Sequence, residues 1–218
     1  MITLTEENYI KAIYHLGKYG VNNVSTNAIA KEMETKASSV TDMVKKLSEK
    51  GYANYKKYQG VTLTEEGKEI AVNIVRKHRL WEVFLVEKLN FSWDEVHEVA
   101  EQLEHIKSKK LISQLDSFLE FPTHDPHGDP IPDKTGKINK IDKILLSETE
   151  IGDQCICVGV QDSSSDFLKY LDKNKIALGT MLVVSHREPF DNSITIKIQG
   201  KELIISNMIA NNLFVKVA

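Results

Sequence analysis

The sequence predicts a multidomain α+β chain: an N-terminal winged helix-turn-helix, an all-α middle domain and a C-terminal SH3-like β-barrel. Three observations predict it. Two short helical patterns, separated by Glu34-Thr35-Lys36, run into an alternating, lysine-bearing stretch at 52–63. Apolar residues then recur at helical spacing through to Leu119. Finally, four of the five prolines fall within 121–133, and beyond them the apolar period shortens to two. The expected domains are 1–65, 66–140 and 141–218.

A chain of 218 residues can bury a real core and hold up to three small domains. The net charge of −3 does not advertise an acidic partner, but the mean conceals an asymmetry: residues 1–60 hold nine lysines against six acids. The two cysteines, Cys155 and Cys157, exclude a disulfide framework and read as buried neighbours on one face of a strand. The N-terminal residues lack a basic and apolar leader pattern, and no apolar run is long enough to span a bilayer. The expectation is a cytoplasmic protein with no membrane partner.

Thr5, followed by Glu6 and Glu7, has the chemistry of a helix start. Tyr9, Ile10, Ile13, Tyr14 and Leu16 continue it as an apolar stripe that Gly17 ends. Ser25-Thr26-Asn27 opens a second helix, with Ala28, Ile29, Ala30 and Met33 facing inward. In the third, Val40, Met43, Val44 and Leu47 fall at i, i+3, i+4 and i+7 before Gly51 stops it. Two helices, a tight turn and small polar residues at the start of the second make a helix-turn-helix pattern. Ser38, Ser39 and Thr41 are short enough to let that helix enter a major groove, and their hydroxyls suit phosphates or base edges. Asp42 completes this face, and Lys45 and Lys46 suit phosphates. Residues 52–63 alternate and turn near Gln59-Gly60, which makes a hairpin wing with Lys56 and Lys57 placed to touch a nucleic-acid backbone. The competing reading is a helical scaffold unrelated to nucleic acid, and the appended basic hairpin weighs against it.

Thr64-Glu65-Glu66 starts a long helix running through Val86, in which His78 and Glu82 stand at i, i+4. A helix is expected over Val96–Ile106 and another over Leu111–Leu119. In the first of these, His97, Glu101, Glu104 and His105 obey helical spacing, so two imidazoles and two carboxylates are expected to point roughly one way. Such a set suits a divalent transition metal. The competing reading is a solvated face carrying ordinary Glu–His pairs. This block holds more large apolar side chains than one helical layer covers, so self-association is expected. The proline-rich stretch is a turn-rich boundary; its His124, Asp125 and His127 are candidate metal ligands, and the competing reading, given more weight, is a stiff solvated connector. Strands are expected over 151–160, 180–184, 193–198, 202–205 and 213–217, with one short helix near 166–171.

Five pieces taken together resemble the diphtheria-toxin-repressor family of metal-dependent transcription regulators. They are residues 7–14, residues 38–44, Arg76-Lys77-His78-Arg79-Leu80, residues 97–105 and Pro126-His127-Gly128-Asp129-Pro130-Ile131-Pro132. The resemblance implies one metal site at Asn8, Glu101, Glu104 and His105. It implies a second at His78, Glu82 and His97, completed from the barrel, where the matching positions are Ser163 and Asp166 and only Asp166 is a plausible ligand. Iron-type members carry cysteine where this chain has Glu101, so the resemblance implies a manganese-type member, with Fe²⁺ the alternative to Mn²⁺. Asn8 departs from the family's usual Asp or Met, and Lys11 stands where short manganese regulators place a second carboxylate. The implied function is a homodimeric, Mn²⁺-dependent repressor of metal-uptake genes on palindromic double-stranded operator DNA, with no enzymatic activity. Two rival classes are a metallohydrolase built on the His/Glu cluster and a winged-helix regulator that needs no metal.

Overall fold

The computed structural model describes residues 2–138 and 142–217, so the expected boundary between residues 140 and 141 lies outside the described residues. Two compact units emerge: Met1–His78 with Glu101–Gln114 and Pro132–Lys137, and Arg79–Ala100 with Leu115–Ile131 and Ile138–Ala218.

The first unit opens with α1 (Leu4–Leu16). Its cap is Thr3 rather than Thr5: the Glu6 amide donates to the Thr3 hydroxyl while the Thr3 amide donates to the Glu6 carboxylate. α2 (Thr26–Glu32) is capped by Ser25, and α3 (Ala37–Glu49) follows after the expected break. Val40, Val44 and Leu47 of α3 are fully buried against Ile10, Ile13 and Ile29, which leaves Ser38, Ser39, Asp42, Lys45 and Lys46 exposed. β1 (Ala53–Lys56) and β2 (Gly60–Leu63) pair antiparallel, Ala53 opposite Leu63 and Lys56 opposite Gly60. The hairpin tip at 57–59 exposes Lys57 and Tyr58, with the Lys57 ammonium 5.0 Å from the Tyr58 ring centre.

The long helix α4 (Glu65–Leu89) runs as expected. α5 (Val96–Leu103) stops three residues early: the Ile106 amide donates to the Leu103 carbonyl, so Glu104 and His105 lie in a turn and not on the helix. α6 spans Lys109–Phe118.

The second unit carries a six-stranded antiparallel sheet in the order β3-β8-β4-β5-β6-β7. Its strands are β3 (Ile144–Leu145), β4 (Gln154–Val160), β5 (Met181–Arg187), β6 (Ile194–Ile198), β7 (Lys201–Ile205) and β8 (Leu213–Val217). α7 (Ser165–Lys173) and the single turn α8 (Asn207–Ala210) complete it. Register shifts at Cys157/Gly159 and Val184/His186 bend β4 and β5, as small SH3-like sheets require. The core gathers Leu168, Leu171, Ile176, Leu182, Val184, Ile194 and Ile196, and Cys155 and Cys157 face it as expected. Trp93, from the loop after α4, packs against the same core. The carboxylate of Asp94 beside it accepts from Ser165 Oγ at 3.0 Å and lies 3.2 Å from Lys169 Nζ, both on α7.

Candidate metal centre and nucleic-acid interface

The proline-rich segment is not a solvated connector. Asp125, His127 and Ile131 are buried. The reason is a set of hydrogen bonds that the composition concealed. Asp125 Oδ1 accepts from the amides of His127 (2.8 Å) and Asp129 (3.0 Å), closing a tight loop. The Arg79 guanidinium reaches the same loop, with Nε 3.4 Å from Asp125 Oδ2 and Nη2 3.3 Å from Asp129 Oδ2, and donates to the Pro130 carbonyl. In the first unit, Arg76 donates to the Pro132 carbonyl in the same way. The loop is stitched to the sheet as well: the Val160 amide donates to the His127 carbonyl at 3.0 Å.

The loop delivers two ligand atoms to Glu82 of α4. Ligand atoms of Glu82, Asp125 and His127 all lie within 4.8 Å of one another, and all three residues are buried. Glu82 Oε1 stands 3.8 Å from His127 Nδ1 and 3.4 Å from His97 Nδ1. Burial, reinforced by the neighbouring Glu82 and Asp129 carboxylates and opposed by Arg79 and His127, raises the Asp125 carboxyl to about 7. Burial works against a charged His127 ring, but the Glu82 carboxylate outweighs it and leaves the imidazole raised. A buried carboxyl that resists ionisation beside a second carboxylate is short of positive charge, and a divalent cation supplies it. His124, by contrast, turns to the Thr123 hydroxyl at 2.9 Å.

A second cluster lies in the first unit. Glu104 is fully buried; its Oε2 is 2.6 Å from His78 Nδ1 and its Oε1 is 2.7 Å from Lys11 Nζ. The Lys11 ammonium also lies 3.2 Å from Glu101 Oε1. His105 Nδ1 is 2.6 Å from Glu7 Oε2, which orients the ring and leaves its Nε2 3.7 Å from Glu104 Oε1. Burial opposes ionisation of Glu104, yet the His78 hydrogen bond and the Lys11 charge hold its carboxyl below the usual range. Among the described residues, the buried Asn8 Oδ1 has no hydrogen-bond partner. Two carboxylates, an imidazole and an orphaned amide oxygen form a donor set that fits Mn²⁺ or Fe²⁺.

The expected single face is therefore divided. His97 meets Glu82, whereas Glu101, Glu104 and His105 gather around Lys11, because the turn after Leu103 swings Glu104 inward. His78, grouped with Glu82 by the resemblance, precedes it by one turn of α4 and directs Nδ1 to Glu104. Asp166 is exposed in the first turn of α7 and, among the described residues, joins no ligand grouping. Sequence reasoning undervalued Asp125 and His127. The available signal was an acid and an imidazole two residues apart in a Pro- and Gly-bounded turn.

On the candidate nucleic-acid face, the Thr41 hydroxyl donates to the Ala37 carbonyl. Lys46 Nζ lies 3.0 Å from Glu6 Oε1, and Lys50 Nζ lies 2.7 Å from the same atom, so Lys46 is engaged with α1. Burial opposes ionisation of Glu6, but hydrogen bonds from Lys50, the Thr3 amide and Lys46 bring its carboxyl down to about 2.

Comparison with known proteins bears on each region. Residues 1–61 match the iron-dependent repressor N-terminal DNA-binding domain, residues 64–133 the iron-dependent repressor metal-binding and dimerisation domain, and residues 144–217 the FeoA domain. An uncharacterised HTH-type transcriptional regulator of Methanocaldococcus jannaschii is 40% identical over 114 residues, 52% of this chain and 91% of that protein. The iron-dependent repressor IdeR of Mycobacterium tuberculosis is 34% identical over 128 residues, 59% of this chain but only 55% of its own length. A solved manganese-dependent transcriptional repressor in complex with manganese is 33% identical with a TM-score of 0.84, covering 98% of this chain and 100% of that one. These relatives are regulators and not enzymes, which removes the metallohydrolase reading. The chain belongs to the iron-dependent repressor family, the diphtheria-toxin-repressor type of metal-dependent, DNA-binding transcriptional regulators.

Proposed function

We propose that this protein is a cytoplasmic, homodimeric repressor that requires Mn²⁺ to bind palindromic operator DNA and controls metal-uptake genes. The buried meeting of Glu82, Asp125 and His127 carries this reading, because it is a charge-deficient pocket of oxygen and imidazole donors. The exposed His97 also reaches Glu82, with its Nδ1 3.4 Å from Glu82 Oε1, and Asn8, Glu101, Glu104 and His105 form the other site. Neither set contains a thiolate, which favours Mn²⁺ over softer ions, with Fe²⁺ the alternative. Both cysteines point into the sheet core.

When bound, the cation supplies a multidentate tie between elements distant in sequence. Asn8 is on α1, which packs with α3 in one core, whereas Glu101 is in the last turn of α5 and Glu104 and His105 are in the turn after it. Asn8, Glu101, Glu104 and His105 would hold the ion, and in doing so would fix α1, and with it the recognition helix, in one arrangement. Exposed Phe118, Phe121 and Leu89 supply apolar surface for the dimer. Gel shifts test the reading: Mn²⁺ is expected to strengthen operator binding by about 5–150-fold, the usual range of site-to-site coupling. Equal binding after chelation would overturn it.

A further inference from the structure

We propose that Lys11 sets the metal threshold of this repressor: its ammonium serves Glu101 and Glu104 as a built-in cation, and a divalent ion must displace it. The inference rests on reading Glu101, Glu104 and His105 as ligands. Lys11 Nζ lies 2.7 Å from Glu104 Oε1 and 3.2 Å from Glu101 Oε1, and its side chain is only 16% exposed. Glu104 has no solvent exposure, so its charge must be met by the protein itself. His78 meets one oxygen and Lys11 the other.

The ammonium neutralises the carboxylates, but it does not satisfy the whole set. Asn8 stands one helical turn before Lys11 on α1, and its buried Oδ1 has no hydrogen-bond partner among the described residues. The Lys11 ammonium is engaged by the two carboxylates, at 3.2 and 2.7 Å, whereas a divalent ion can take the amide oxygen, both carboxylates and the imidazole together. Ammonium and metal therefore compete for the same oxygens, and only the metal uses all four groups. Together with the Glu7–His105 contact, the Lys11 bridge already ties α1 to the end of α5 without metal. Metal thus replaces an existing latch, and every ion must first overcome the ammonium.

The experiment is Mn²⁺ equilibrium dialysis on the full chain carrying His127→Ala, which leaves the Glu101/Glu104/His105 set as the uptake being read. Lys11→Met is expected to tighten Mn²⁺ binding by about tenfold, within the ordinary span of coupling between neighbouring groups. Lys11→Arg, which keeps the charge, is expected to bind like the parent. In chelator, Lys11→Met is expected to melt lower than the parent, and Mn²⁺ is expected to raise its melting temperature by more. That second readout holds even for a destabilised variant. Lys11→Met binding Mn²⁺ no tighter than the parent would overturn this inference alone. A parent that takes up no Mn²⁺ at this set would overturn the site reading and this inference with it.

Discussion

The Nε2 atom of His127 stands 3.2 Å from the carbonyl oxygen of Trp93. A carbonyl can only accept, so Nε2 carries the proton and donates it, and the other ring nitrogen, Nδ1, is the one presented to Glu82. Trp93 is itself held by the sheet core, so ring orientation at the candidate metal centre is set by packing remote from it.

Mn²⁺ should stabilise the protein against heat through this centre. At about 100 times the dissociation constant, binding to the native state alone contributes about 2.7 kcal/mol per site. His127→Ala should remove that contribution from its own site and leave the remainder. Calorimetric melts with and without Mn²⁺ measure it, and an undiminished shift in the variant would exclude His127 as a ligand.

Gly128 should matter for metal without touching it. Its φ is +84°, and a Cβ there would meet the Val158 carbonyl oxygen at 2.1 Å and the Gly159 Cα at 2.5 Å. Gly128→Ala must push the loop away from β4 and carry Asp125 and His127 with it. Dialysis should show Mn²⁺ uptake reduced as much as in His127→Ala, whereas Gly179→Ala, where a Cβ meets nothing within 4 Å, should bind metal normally.

Acid should loosen the winged helix through Glu6. Its carboxyl sits at about 2 when folded against 4.5 when free. A depressed carboxyl contributes stability that is complete above the free value and is lost as pH falls toward the folded one. Glu6→Gln should therefore melt below the parent near neutrality, with the gap closing between about pH 4.5 and 2. Circular-dichroism melts in chelator across that window would reveal a constant gap if Lys46 and Lys50 contributed nothing.

The lysines of α3 should differ on DNA. Lys45 is exposed, whereas Lys46 is engaged by Glu6. Lys45→Ala should weaken binding on all sequences alike and reduce the slope of log affinity against log salt by about 1. Lys46→Ala should reduce it less, and Glu6→Gln should release Lys46 and steepen it. Salt titrations of operator and random duplexes distinguish these outcomes.

The sequence by itself determined the fold class, the helix-turn-helix with its wing, the strand alternation and most of the candidate ligand types. Each is a local matter: a period of 3.6 or 2, a capping hydroxyl, or a turn residue acts within a few positions. Only tertiary structure decided how the ligand groups are shared out. The early end of α5 at Leu103 separated His97 from Glu104 and His105, because Glu104 finds its partners on α1 and α4 and not along its own helix. Asp125 and His127 resembled a solvated turn until Arg79, Trp93 and β4 buried them. Lys46 looked ready for phosphate until Glu6, 40 positions earlier, claimed it. Charges choose partners through space, and periodicity carries no record of which distant charge arrives.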